Sequence, residues 1–113
     1  MSAITTHVLD TSRGRPAQGV LVVLERRAEG GHEELCRGVT DADGRLRTLL
    51  PQGEPVAPGV YRLTFHTAAY FAAQGGEGFY PEVTIAFEIR DPAQHYHVPL
   101  LLNPFGYSTY RRS

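Results

Sequence analysis

Two of the chain's histidines, His95 and His97, flank Tyr96. Residues two apart on a strand project to one side, so these imidazoles share a face. An unperturbed imidazole ionises near pH 6.5 and passes protons either way near neutrality, which suits general acid–base chemistry. His7, near the other end, offers a third ring. Three imidazoles are also a set that holds zinc with a fourth position open. There is no cysteine pair and no His-Glu-x-x-His run beside them, so neither a metal nor another cofactor is expected. Ser108 and Ser113 place hydroxyls near the histidine pair, but neither lies in a nucleophile elbow, and water is the simpler attacking group. Arg45 follows the Asp43-Gly44 turn and supplies a permanent cation with directional donors. Taken singly, each has a plain structural reading. His7 is then a surface or half-buried histidine, His97 an exposed or core-satisfied one, and Arg45 a solvated turn residue.

The last nineteen residues, HYHVPLLLNPFGYSTYRRS from His95 to Ser113, concentrate this chemistry. Chain ends with no partners usually fray, yet every side chain from Tyr107 to Ser113 can donate a hydrogen bond.

The elements that must position these groups read as β throughout. Residues 83–90, VTIAFEIR, alternate Val83, Ile85, Phe87 and Ile89 with smaller or polar residues, the period of a strand with one buried face. Residues 59–66 repeat the pattern with Tyr61, Leu63 and Phe65. The run from Val20 to Leu24 predicts a central strand buried on both faces. Ile4–Leu9, Glu34–Thr40 and Leu46–Leu50 predict weaker or shorter strands. Turn clusters separate them at Thr11–Pro16, Gly30–Gly31, Asp41–Gly44 and Pro51–Gly59. Thr67–Gln74 predicts one short helix, with threonine as its cap, alanines favouring it and Gly75-Gly76 ending it. The chain closes on a hairpin of His95–Leu102 and Tyr107–Arg111 around a turn at Asn103–Gly106. Cys36 reads as a buried small hydrophobe, His95 as structural, and His32 and His66 as exposed. Short strands at this spacing predict an all-β sandwich or barrel.

Residues 1–113 are the length of one domain, able to bury roughly two thirds of the unfolded surface. A 42% hydrophobic and 20% charged composition excludes a disordered chain. The net charge of −1 lacks the footprint that nucleic-acid binding needs, so no nucleic-acid partner is expected. No apolar run approaches the about 20 residues of a membrane span, so no membrane partner is expected either. The opening MSAITTHVLD has no secretory pattern and Cys36 is alone, which together predict the cytoplasm.

Three blocks resemble the transthyretin-like family. HVLDTSRGRPAQGVLVVLE, from His7 to Glu25, is similar to its opening, and TDADGRL, from Thr40 to Leu46, to its next block. These two serve any such sandwich. The third, the tail from His95, is the specific one and resembles the 5-hydroxyisourate hydrolase branch, which usually ends in tyrosine–arginine–glycine–serine. The resemblance implies a prealbumin-like β-sandwich of about eight strands with one short helix. It also implies hydrolysis of 5-hydroxyisourate to 2-oxo-4-hydroxy-4-carboxy-5-ureidoimidazoline in urate degradation, without cofactor or metal. By the same resemblance His7, Arg45 and His97 are catalytic, and Tyr110, Arg111 and Ser113 join them in binding substrate. Which histidine acts as base stays open, with His7 preferred on the base side. The family's homotetramer, a dimer of dimers, is expected too, with the apolar last hairpin at a subunit interface.

Two positions depart from the family pattern. Asn103 stands where serine is common, one turn former for another. Arg112 replaces the tetrapeptide's glycine, so the tail there either runs extended or takes a different path. The competing functions are a small-molecule carrier without catalysis and a purely structural module. The histidines together with the tail discriminate against both.

Overall fold

Apolar side chains at every second position commit most of this chain to strands with one face buried. The computed structural model describes residues 3–50 and 56–112. Among these residues it forms β1 (Ile4–Asp10), β2 (Arg15–Pro16), β3 (Leu21–Ala28), β4 (Gly31–Val39), β5 (Arg45–Leu46), β6 (Gly59–Phe65), α1 (Thr67–Ala73), β7 (Val83–Ile89), β8 (Tyr96–Asn103) and β9 (Gly106–Thr109). One sheet runs β2-β1-β8-β9, with β5 also paired to β1, and the other runs β4-β3-β6-β7. Their inner faces share one core, in which Ile4, Val8, Val22, Leu24, Leu63, Phe65, Leu100 and Leu102 are fully buried. This is the all-β sandwich with one helix that the sequence predicts.

The pairing of β1 with β8 is parallel, whereas every other strand pair is antiparallel. Ile4, Thr6, Val8 and Asp10 face inward, as do Tyr96, Val98, Leu100 and Leu102 beside them. Alternation therefore turns Thr5, His7 and Leu9, together with His97, Pro99 and Leu101, to the outer face.

Several local expectations change. Of the expected Val20–Leu24 strand, Leu21–Leu24 open β3, an interior strand paired on both sides, while Val20 lies just before it, and β3 runs on to Ala28 with increasing exposure. Beyond β5, Leu49 and Leu50 enter the core through bends and not through strand pairing, so of the expected Leu46–Leu50 segment only Leu46 is β, together with Arg45 before it. Of the Pro51–Gly59 turn cluster, residues 51–55 lie outside the described residues. Thr67 is not the helix cap. His66 holds that position without a side-chain bond, while the Thr67 hydroxyl donates to the Tyr80 carbonyl at 2.6 Å. His66 is accordingly half-buried, not exposed. Cys36 is also only half-buried, because β4 is an edge strand whose residues are mostly exposed. The closing hairpin forms as expected, with its turn held by Asn103 Oδ1, which accepts from the Phe105 N–H at 2.9 Å.

Candidate active site

The outer face of the β2-β1-β8-β9 sheet collects the groups with chemistry. Strand register sets their neighbours: Thr5 lies opposite His97 across the parallel pair, and His7 lies opposite Arg45 across the β1–β5 bridge. Arg112 bridges to His97 from beyond β9, its backbone N–H donating to the His97 carbonyl at 3.1 Å.

Arg45 owes its place to the Asp41–Gly44 turn. The Asp41 carboxylate accepts from the backbone N–H of Asp43 at 2.9 Å and of Arg45 at 3.0 Å, closing the turn on itself. Gly44 carries φ +74° and presses against β1, where a Cβ would sit 2.3 Å from the Val8 carbonyl oxygen. Only glycine meets both demands. In return the Val8 N–H donates to the Gly44 carbonyl at 2.7 Å, pinning the turn to the strand that carries His7.

These residues border an open cleft of about 360 Å³ lined by Thr5, Thr6, Arg45, Arg47, His95, His97 and Arg112. His7 stands beside it, next to Arg45. Among the described residues no carboxylate lines the cleft, and three guanidiniums give it a strongly positive field. Burial holds the His7 imidazole below its ordinary pKa, and the Arg45 and Arg112 charges push it the same way. A hydrogen bond to the Asp43 carbonyl partly offsets them. That bond uses a ring N–H and leaves the other nitrogen of neutral His7 with a lone pair, the form a general base needs. His97 is likewise lowered, by burial first and then by Arg45, His7, His95 and Arg112.

The structure thus brings His7, Arg45 and His97 together. His95, read from sequence as structural, lines the same cleft. Its Nε2 lies 3.1 Å from Thr5 Oγ1, which is also 2.8 Å from His97 Nδ1. The two rings stack with centroids 6.4 Å apart. Thr5 and Arg47 escaped the sequence reading, although a period of two was the available signal: each stands two residues from a recognised site residue.

Within its own protomer the structure places Tyr110 and Arg111 outside the cleft. The Arg111 guanidinium lies 4.5 Å from the centroid of the Tyr96 ring and donates to Gln94 Oε1 at 2.7 Å. Tyr110 borders a neighbouring apolar groove with Ile85, Phe87, Val98 and Thr109. For Arg111 the physical reason is again alternation: consecutive residues face opposite sides, so Arg112 joins His97 and Arg111 joins Tyr96. Tyr110 shares the parity of Arg112 yet lies on the side of Tyr96, because β9 ends at Thr109 and strict alternation ends with it. Arg112 needs no glycine-like backbone, since every positive φ among the described residues belongs to a glycine. Ser113 lies outside the described residues. Ser108 pairs with Leu101 and does not line the cleft. Among the described residues no group of three or more His, Cys, Asp or Glu is arranged to hold a metal ion. No helix among them is long and apolar enough to cross a membrane.

Comparison with known proteins gives a single family. The model of the HIUase/Transthyretin family matches residues 4–112. A 5-hydroxyisourate hydrolase of Salmonella dublin is 46% identical over 97% of this chain and 80% of its own length. The solved structure of Klebsiella pneumoniae 5-hydroxyisourate hydrolase superposes with TM-score 0.84 at 44% identity, covering 97% of this chain and 98% of that one. Transthyretin from Sparus aurata superposes with TM-score 0.91 at 32% identity, covering 99% and 97%. The prealbumin-like sandwich therefore extends to both branches, while sequence identity is higher with the two hydrolases. With the family model spanning β1 through the Arg112 bridge, the chain belongs to the HIUase/transthyretin family.

Proposed function

We propose that this chain hydrolyses 5-hydroxyisourate to 2-oxo-4-hydroxy-4-carboxy-5-ureidoimidazoline, by attack of a histidine-activated water on the lactam carbonyl. The observation that carries the reading is the convergence of His7, Arg45 and His97 on one cationic cleft. The names of the relatives supply the substrate. His7, its N–H committed to the Asp43 carbonyl, takes the proton of the attacking water. Arg45 faces the carbonyl oxygen, where a fixed guanidinium stabilises the charge that develops during addition. His97 returns a proton to the leaving nitrogen as the carbon–nitrogen bond breaks. A carrier role fits the transthyretin likeness, but the cleft is lined by cations and imidazoles where a carrier of apolar ligands would present an apolar wall.

The working unit in this proposal is a homotetramer, a dimer of dimers, in the cytoplasm, where the lone thiol Cys36 stays reduced. Both β7 and β9 end their sheets with an unpaired edge. Phe79 and Phe105 are 71% and 81% exposed. Open edges and exposed aromatics of this kind favour pairing with a second copy. Across such a boundary Tyr110 and Arg111 are available to a neighbour's substrate.

The test is a spectrophotometric assay of freshly generated 5-hydroxyisourate. The wild-type protein should accelerate its decay. Alanine at His7, Arg45 or His97 should each lower turnover by about 10²–10⁴-fold, with sedimentation unchanged. Near-wild-type rates in all three variants would remove the site, and no acceleration by the wild type would favour the carrier.

A further inference from the structure

His97 presents a difficulty that its surroundings resolve. Burial and the charges of Arg45, His7, His95 and Arg112 all disfavour a second proton on this ring, and Arg47 adds a further cation to the same cleft. A neutral imidazole that gives up its Nε2 proton becomes an imidazolate unless Nδ1 gains a proton in the same event. The group at Nδ1 is the Thr5 hydroxyl, 2.8 Å away and only 3% exposed. A hydroxyl donates one hydrogen bond while accepting another. Its second partner is His95 Nε2 at 3.1 Å, and His95 is exposed to solvent.

We propose that His95, Thr5 and His97 form a proton relay from solvent to the cleft, with Thr5 and His95 as positioning residues that serve His97. This rests on the hydrolase reading above. Before the step His95 holds its proton on Nε2, Thr5 accepts from that Nε2–H and donates to His97 Nδ1, and His97 holds its proton on Nε2. As the carbon–nitrogen bond breaks, the nitrogen takes the His97 Nε2 proton. His97 Nδ1 takes the Thr5 proton, and Thr5 takes the His95 Nε2 proton while solvent protonates His95 Nδ1. His97 and Thr5 end neutral and intact with their hydrogen bonds reversed, and His95 ends neutral. The water's own proton leaves through His7. The cleft never has to hold an imidazolium at His97 among three arginines.

The experiment compares Thr5→Val, Thr5→Ser and His95→Gln in the full chain. Valine keeps the β-branched shape without the hydroxyl, serine keeps the hydroxyl, and His95 is exposed enough to replace without disturbing the core. Thr5→Val and His95→Gln should lower kcat about tenfold to a hundredfold with KM within about twofold, part of what general acid catalysis supplies. Thr5→Ser should retain most of the rate. Added imidazole should restore part of the His95→Gln rate. Rates within twofold of wild type in both disabling variants, a loss confined to KM, or serine failing as valine does would overturn the relay. Imidazole nitrogen NMR gives a readout that needs no substrate. His97 should be mainly the Nε2–H tautomer in the wild type and a mixture in Thr5→Val. An unchanged tautomer would sink the relay even if the hydrolase reading stands. A wild type inactive on 5-hydroxyisourate would sink that reading while the tautomer still reports on the hydrogen-bonded chain.

Discussion

Arg112 places a guanidinium where the family resemblance implies glycine, and its charge acts on both His7 and His97. A nearby cation favours the neutral imidazole, so Arg112 helps keep His7 available as a base at lower pH. Removing that charge must raise both histidine pKa values. Arg112→Gly is therefore expected to shift the acid limb of the pH–rate profile to higher pH, which proton NMR titration of the two rings checks independently. Its effect on the fold should be small, because its guanidinium forms no hydrogen bond or ion pair with another described residue. The same residue shows what sequence alone leaves hidden. Arg111 and Arg112 are chemically alike, and only the bridge between Arg112 and His97 decides which of them enters the cleft.

At the scale of elements, the cleft depends on one turn more than on any strand. Gly44→Ala would put a Cβ 2.3 Å from the Val8 carbonyl oxygen on a backbone with φ +74°. Such a left-handed residue costs about 1–3 kcal/mol before the clash is counted. Thermal unfolding should show that loss, and turnover should fall with it because Arg45 is displaced from His7. This turn was legible in the sequence as Asp-Ala-Asp-Gly, since its side-chain and glycine chemistry is local. So were β6 and β7, whose alternation is strong. Leu49 and Leu50 misled because apolar residues report burial and not pairing. Thr67 misled because a threonine at a helix start also has tertiary partners, here the Tyr80 carbonyl. Thr5 and His95 were readable only as neighbours of His7 and His97. Their meeting depends on a parallel register between segments some ninety residues apart, which no local pattern encodes.

Across the whole molecule, acid should remove stability in two stages. His7 and His97 have lowered pKa values in the folded state. The unfolded chain then binds more protons below about pH 6.5, and stability falls as pH drops from there. Asp10 acts in a second window. It is 1% exposed and accepts from the Tyr70 hydroxyl at 2.7 Å and the Ser12 hydroxyl at 2.6 Å. Burial opposes its charge, but those hydrogen bonds and the backbone N–H groups of Ser12 and Arg13 outweigh it and lower its pKa. Its contribution is present above the usual carboxylate range, about pH 3.9, and is lost as pH falls through its lower folded value. Urea unfolding at a series of pH values should show both stages. Alanine at both His7 and His97 should flatten the upper one and leave the lower one in place.

The parallel pairing of β1 with β8 ties Ile4 to Tyr96 and Thr5 to His97. The two strands stand near opposite ends of the folded unit. The cleft cannot form before β8 has been made, however well the middle strands have paired, and closing so long a loop is among the slower acts of folding. The cleft thereby becomes a late checkpoint of folding: a chain cut short before His97 keeps the segments of the β4-β3-β6-β7 sheet but lacks the wall that His97 and Arg112 build.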